Sequence, residues 1–120
     1  MHDDNVFVLK QTNTSPALRY ALEPDNIELT AAEVQFKMRE RTRKNGIRGE
    51  TVVDAPGQVV NGSNAPTVEY AWQPDDAVKA GHYEAEFEIT YSDGTVETFP
   101  NYGFIRVIVH ENIEDIGGLV

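Results

Sequence analysis

Cysteine is absent from the 120 residues, which excludes a disulfide framework, a thiolate metal site and a cysteine nucleophile together. Basic residues are scarce, ten against twenty Asp and Glu. The resulting formal charge of −10 argues against duplex DNA as the principal partner, because phosphate binding requires cationic surface. No apolar run approaches the roughly 20 residues that span a bilayer. The opening segment, MHDDNVFVLK, is acidic where a secretory leader is basic. The expectation is a soluble chain that starts in the cytoplasm, with neither membrane nor nucleic acid as partner. Serine is rare as well: Ser15, Ser63 and Ser92 are the full set, and none lies in a G-x-S-x-G context. There is no glycine-rich loop to cradle a phosphate. His2, His82 and His110 have no spacing that converges on one ion. The expected protein is not an enzyme and has no catalytic residue, cofactor or metal.

What is present centres on Gly81–Val109. Tyr83, Ala85, Phe87, Ile89 and Tyr91 alternate with His82, Glu84, Glu86, Glu88 and Thr90. Successive strand side chains point to opposite faces, so this pattern sends one set to a core and the carboxylates to water. Asp93-Gly94 then supplies the positive φ values of a tight hairpin turn. Pro100 interrupts the return arm, and a proline cannot donate to a ladder, so a kink or bulge is expected at 100–103. Glu84, Glu86 and Glu88 share a face, but a catalytic carboxylate pair needs surroundings that separate the two pKa values. They read as a charged outer face that opposes aggregation.

Taken in order, Val6–Leu9 reads as a short edge strand and Leu18–Leu22 as a second strand. Ala32–Arg39 has Val34, Phe36 and Met38 inward and Gln35, Lys37 and Arg39 outward. Residues 40–50 read as an exposed loop. Weak strands flank Ala55-Pro56-Gly57, residues 61–66 form a turn cluster, and Val68–Trp72 is a clear strand. There is no repeat and no helix beyond a single turn near Pro74. About seven short strands predict an all-β, immunoglobulin-like, two-sheet antiparallel sandwich. Its core would hold Val34, Phe36, Met38, Tyr70, Trp72, Tyr83, Phe87, Ile89, Val107 and Val109. Asp76 and Gly81 just before Tyr83 have the form of a tyrosine corner, in which the phenol bonds back to preceding backbone. The sandwich is expected over 6–110, between a flexible arm at 1–5 and an acidic tail at 111–120.

Charge is unevenly placed. Six of the ten basic residues lie between Lys37 and Arg48, with Glu40 the only acid, so this segment carries +5 and the remainder −15. Arg39, Arg41, Arg43, Lys44 and Arg48 are candidate interface residues. Two readings stand: contact with an acidic partner, or a solvated loop pairing with the chain's own acidic strands. No aromatic residue is interleaved for nucleic-acid stacking. Ile113, Ile116 and Leu119 in the acidic tail are apolar candidates for docking on a neighbour, set against a tail that merely frays.

Four stretches stand in a family's order: LTAAEVQFKMR at 29–39, VEYAWQ at 68–73, DDAVKAGHYEAEF at 75–87 and DGTVETFP at 93–100. They resemble the immunoglobulin-like N-terminal domain of baseplate upper proteins from tailed bacteriophages. The resemblance covers roughly residues 5–110. It implies a virion building block, with other phage virion proteins as partners, a homo-oligomer within the particle, and no catalytic residues. The baseplate proteins continue into regions that connect to receptor-binding parts, whereas this sequence stops at Val120. An adaptor, decoration or tail accessory role is therefore expected over receptor binding. The alternative is a carbohydrate- or cell-surface-binding sandwich acting through Trp72 or Tyr102.

Overall fold

The computed structural model describes residues 5–22, 28–41, 49–61 and 66–113. The chain is all-β, with strands β1 (Val6–Lys10), β2 (Leu18–Ala21), β3 (Glu33–Glu40), β4 (Thr51–Pro56), β5 (Gln58–Asn61), β6 (Thr67–Tyr70), β7 (Gly81–Thr90), β8 (Val96–Phe99) and β9 (Ile105–His110). The larger sheet runs β1-β9-β7-β3-β4, with β8 also on β7, and the smaller runs β2-β6-β5. This division of strands is the immunoglobulin-like one. Two details differ from the sequence expectation. Nine strands lie among the described residues, because the return arm counts twice and the short runs at 6–10 and 58–61 both pair. One pair is also parallel: β1 lies alongside β9 with Val6 opposite Arg106 and Lys10 opposite His110. Alternation within a strand carries no information about its neighbour's direction. No helix among the described residues is long and apolar enough to cross a membrane.

Alternation sets the phase of the central strands. Phe36 and Phe87 sit directly opposite across β3 and β7 and are both fully buried. Phe36 stacks on Tyr70 of the smaller sheet at 4.4 Å and meets Trp72 edge-on at 5.7 Å. Such offset and edge contacts suit the ring quadrupoles. All ten core residues read from the sequence are buried, joined by Leu9, Leu18, Leu22, Leu29, Val53, Val68 and Phe99 among others. Trp72 is therefore core, and its indole Nε1 has no hydrogen-bond partner there.

The return arm breaks as expected at 100–103. Phe87 faces Phe99 and Ala85 faces Ile105, so two steps along β7 correspond to six along the arm. The insertion is even, and strand side chains alternate with period two, so Phe99 and Ile105 both still point inward. The passage between sheets at Gly57 is equally tight. Its N–H donates to the Val34 carbonyl at 2.9 Å, and a Cβ there would come within 2.8 Å of the Glu69 carbonyl oxygen.

The hairpin turn differs in type from the reading. The Gly94 N–H donates to the Tyr91 carbonyl and the Tyr91 N–H to the Thr95 carbonyl, both at 2.8 Å. Within this turn only Gly94 has positive φ, at 90°. This is a three-residue loop with a bulge at glycine rather than a two-residue turn with two positive φ values. Asp93 Oδ1 accepts from the Thr95 N–H at 2.9 Å and its hydroxyl at 2.6 Å, which lowers the carboxyl pKa.

Phe87→Ala should cost about 3–5 kcal/mol, as large-to-small core changes do, measured by urea denaturation; a loss under ~1 kcal/mol would contradict its packing. For the turn, nothing lies within 4 Å of a Cβ at Gly94, so the penalty of Gly94→Val is purely conformational. It should be about 1–3 kcal/mol, while Asp93→Asn, which keeps an acceptor oxygen, is nearly silent. Equal tolerance of both in the same assay would dismiss this turn.

Candidate protein interface

Of the charges that the sequence singles out, Lys37, Arg39, Glu84, Glu86 and Glu88 occupy outward positions of the larger sheet. Register brings the outward polar residues of β3, two of them cations, against the carboxylates of β7: Arg39 faces Glu84, Lys37 faces Glu86 and the neutral Gln35 faces Glu88. Opposite charges directly across a ladder each contribute only tenths of a kcal/mol up to about 1 kcal/mol. Arg39 is the best held of them. Its Nε donates to Glu84 Oε1 at 3.0 Å, Nη2 reaches the same oxygen at 3.0 Å, and the guanidinium lies 4.9 Å from the centroid of Phe104. Lys37 Nζ lies 3.6 Å from Glu88, and Gln35 donates to Asp54 on β4 at 2.7 Å. Glu84, Glu86 and Glu88 are therefore half of a mixed-charge ladder rather than a uniformly acidic face.

Of the candidate interface residues, Arg39 is thus held by its own sheet. Arg41 is exposed just beyond β3, where its N–H donates to the His82 carbonyl at 2.9 Å. Ile113 is 96% exposed, one residue past Asn112, whose side chain donates to the Gln11 carbonyl at 3.1 Å. Arg43, Lys44, Arg48, Ile116 and Leu119 lie outside the described residues, as does most of the 40–50 loop. The structure therefore places Arg39 and Arg41 at one end of the sheet and leaves Ile113 beyond the end of β9. Phe104 escaped the sequence reading because its role depends on the neighbouring strand.

The loop between β6 and β7 is closed by tyrosines from both flanks. The Tyr83 hydroxyl donates to the Lys79 carbonyl at 2.6 Å, which is the expected tyrosine corner. From β6, the Tyr70 hydroxyl donates to Asp76 at 2.5 Å, and Asp76 also accepts from the Gln73 N–H at 2.8 Å. Lys79 Nζ reaches Glu40 at 3.3 Å. The turn after β1 joins this loop, since the Thr12 N–H donates to the Ala77 carbonyl at 2.8 Å and the Gln11 amide to that of Val78 at 2.9 Å. Asp76 thus serves a turn, and no cluster of three or more metal-ligating side chains exists among the described residues.

Burial, more than these bonds, favours the neutral phenols. Burial, then the hydrogen bond to Asp76 and its charge, pushes Tyr70 well above the ordinary tyrosine range. Burial raises Tyr83, assisted by Glu40 and opposed by Lys79. Burial and the 2.9 Å bond to Glu97 push Tyr91 up to about 12. No protein-family model and no curated protein matches the chain.

The folded chain keeps phenolic protons that the unfolded chain releases near pH 10. The tyrosine contribution to stability is therefore fully present below pH 10 and is lost as pH rises through the folded values, near 12 for Tyr91. Urea midpoints at increasing alkaline pH should fall, and Tyr70→Phe, with no proton to lose, should make the fall shallower. A slope identical in the two proteins would remove Tyr70 from this account.

Proposed function

We propose that the chain is a non-enzymatic structural component of a tailed-phage virion, an adaptor, decoration or tail or baseplate accessory protein that acts through protein–protein contacts. The observation that carries this reading is the form of the larger sheet's outer face. It is broad and open, its polar groups are engaged with one another across the ladder, and Val8 and Val96 are exposed on it by 52% and 56%. A surface of this kind suits another protein surface better than a small molecule, which needs a concave, mostly apolar site. The resemblance to baseplate upper domains adds the virion. Its four stretches fall on β3, β6, the tyrosine corner with β7, and the hairpin into β8, which are the framework of the sandwich.

A carbohydrate- or cell-surface-binding sandwich is the second reading, favoured by one observation: Tyr102 is 94% exposed on the 100–103 insertion. Trp72 is removed from that reading, being 2% exposed. Glycan binding that Tyr102→Ala abolishes would select it.

The virion reading is tested by incorporation. Fractionated particles should contain the chain in fixed stoichiometry. Reversing Arg41, Arg43 and Lys44 to Glu should leave the monomer folded and reduce incorporation, because basic-to-acidic contact becomes repulsive. Normal incorporation of that variant would make the 40–50 segment a solvated loop, and absence of the wild-type chain from particles would overturn the reading itself.

A further inference from the structure

The outer face of the larger sheet is divided in two along its strands. Register sets the outward residues in rows across the sheet. One row holds Val8, Ile108 and His82, with Arg41 beyond β3, and the next holds Val6, Arg106, Glu84 and Arg39. Lys10 and His110 face each other at the same end. The outward positions at this end therefore carry four cations, Lys10, Arg39, Arg41 and Arg106, against one carboxylate, Glu84. At the other end the sign inverts. Glu86 faces Lys37 and Lys37 faces Asp54, Glu88 follows two residues along β7, and Glu33 lies opposite Thr90. That makes four carboxylates against one cation. A chain of charge −10 thus bears one face with +3 at one end and −3 at the other. Apolar side chains stand at both ends: Val8 beside half-buried Ile108 at the cationic end, and exposed Val96 at the anionic end.

We infer that this face packs against the same face of a second copy through a two-fold axis lying across the strands. A two-fold contact is self-complementary, so each residue's environment is repeated on the partner. An axis along the strands would set cation on cation and carboxylate on carboxylate. An axis across them turns the second copy end over end, and the cationic end of each meets the anionic end of the other. The same rotation keeps each strand on its own side. The second copy's β8, on the same flank of β7 as β9, then covers β9, which brings Val96 over Ile108 and Val8. The strands of this face, β8 included, hold 39 residues, which at about 3.4 Å each and about 4.8 Å between strands offer on the order of 600 Å². Each partner of a standard interface buries about 800 Å². The inference rests on this face alone and holds whether or not the chain belongs to a particle.

Sedimentation equilibrium across a concentration series, at matched salt, tests it. The wild-type chain should be in monomer–dimer equilibrium. Lys10→Glu with Arg41→Glu makes the whole face acidic, and Glu33→Lys with Asp54→Lys makes it basic. Each double variant alone should lose at least about tenfold in self-association. Mixed one to one, an acidic face meets a basic one at both ends and a heterodimer forms. Emission of Trp72, the single tryptophan, reports that the variants are folded, and single reversals Arg41→Glu and Glu33→Lys replace any double variant that is not. A wild-type chain that stays monomeric up to about 1 mM would overturn the inference. So would a dimer indifferent to both reversals, folded variants that fail to pair when mixed, or an assembly larger than a dimer.

Discussion

Phe36 stacked on Tyr70 joins the two sheets, and most of the remaining structure depends on that contact being made. Phe36 comes from the middle of β3 and Tyr70 from the end of β6, with ring centroids 4.4 Å apart and planes 11° from parallel. Phe87 and Trp72 close around the pair at 5.0 and 5.3 Å. Ring burial on this scale is the dominant favourable term in a chain with no disulfide. It also fixes phase, because a one-residue slip of β3 or β7 would turn that strand's own aromatic side chains into water. The outward pattern follows from the inward one. Once Phe36 and Phe87 face each other, Lys37 must face Glu86 and Arg39 must face Glu84.

The polar end of the sandwich depends on the same packing. Tyr70 contributes its ring to the core and its hydroxyl to Asp76, so a single side chain couples the sheet contact to the loop between β6 and β7. Tyr83 does the same from the opposite flank through the Lys79 carbonyl. The loop is held from both sides by phenols whose rings cannot move without opening the core.

Much of this was legible in the sequence because it is local. The alternation in 83–91 and 34–38 specifies strands and their inward faces without reference to anything else. The tyrosine corner is written within eight residues, and Pro100 marks the break in the return arm. What could not be read is pairing between distant strands. Nothing in VFVLK says that it lies parallel to IRVIVH, and nothing in the isolated β7 pattern says that its glutamates face lysine and arginine. The Asp93-Gly94 dipeptide is compatible with more than one turn, and the backbone bonds of Gly94 and Tyr91 decide which. For the candidate interface, sequence identified the concentration of cations. Register divided them, tying Arg39 into the sheet and leaving Arg41 outside it.

The parallel pairing of β1 and β9 has a mechanical consequence. The chain passes into the sandwich at Val6 and out of it at His110, and these positions lie at opposite ends of one five-residue ladder. Tension applied through the flanking segments therefore slides β1 along β9, loading all of its hydrogen bonds together instead of peeling them one at a time. Gln11 adds to the resistance, since its N–H donates to the His110 carbonyl and its own carbonyl accepts from Asn112. A pull along the line joining these two ends is therefore resisted by shear of the whole ladder.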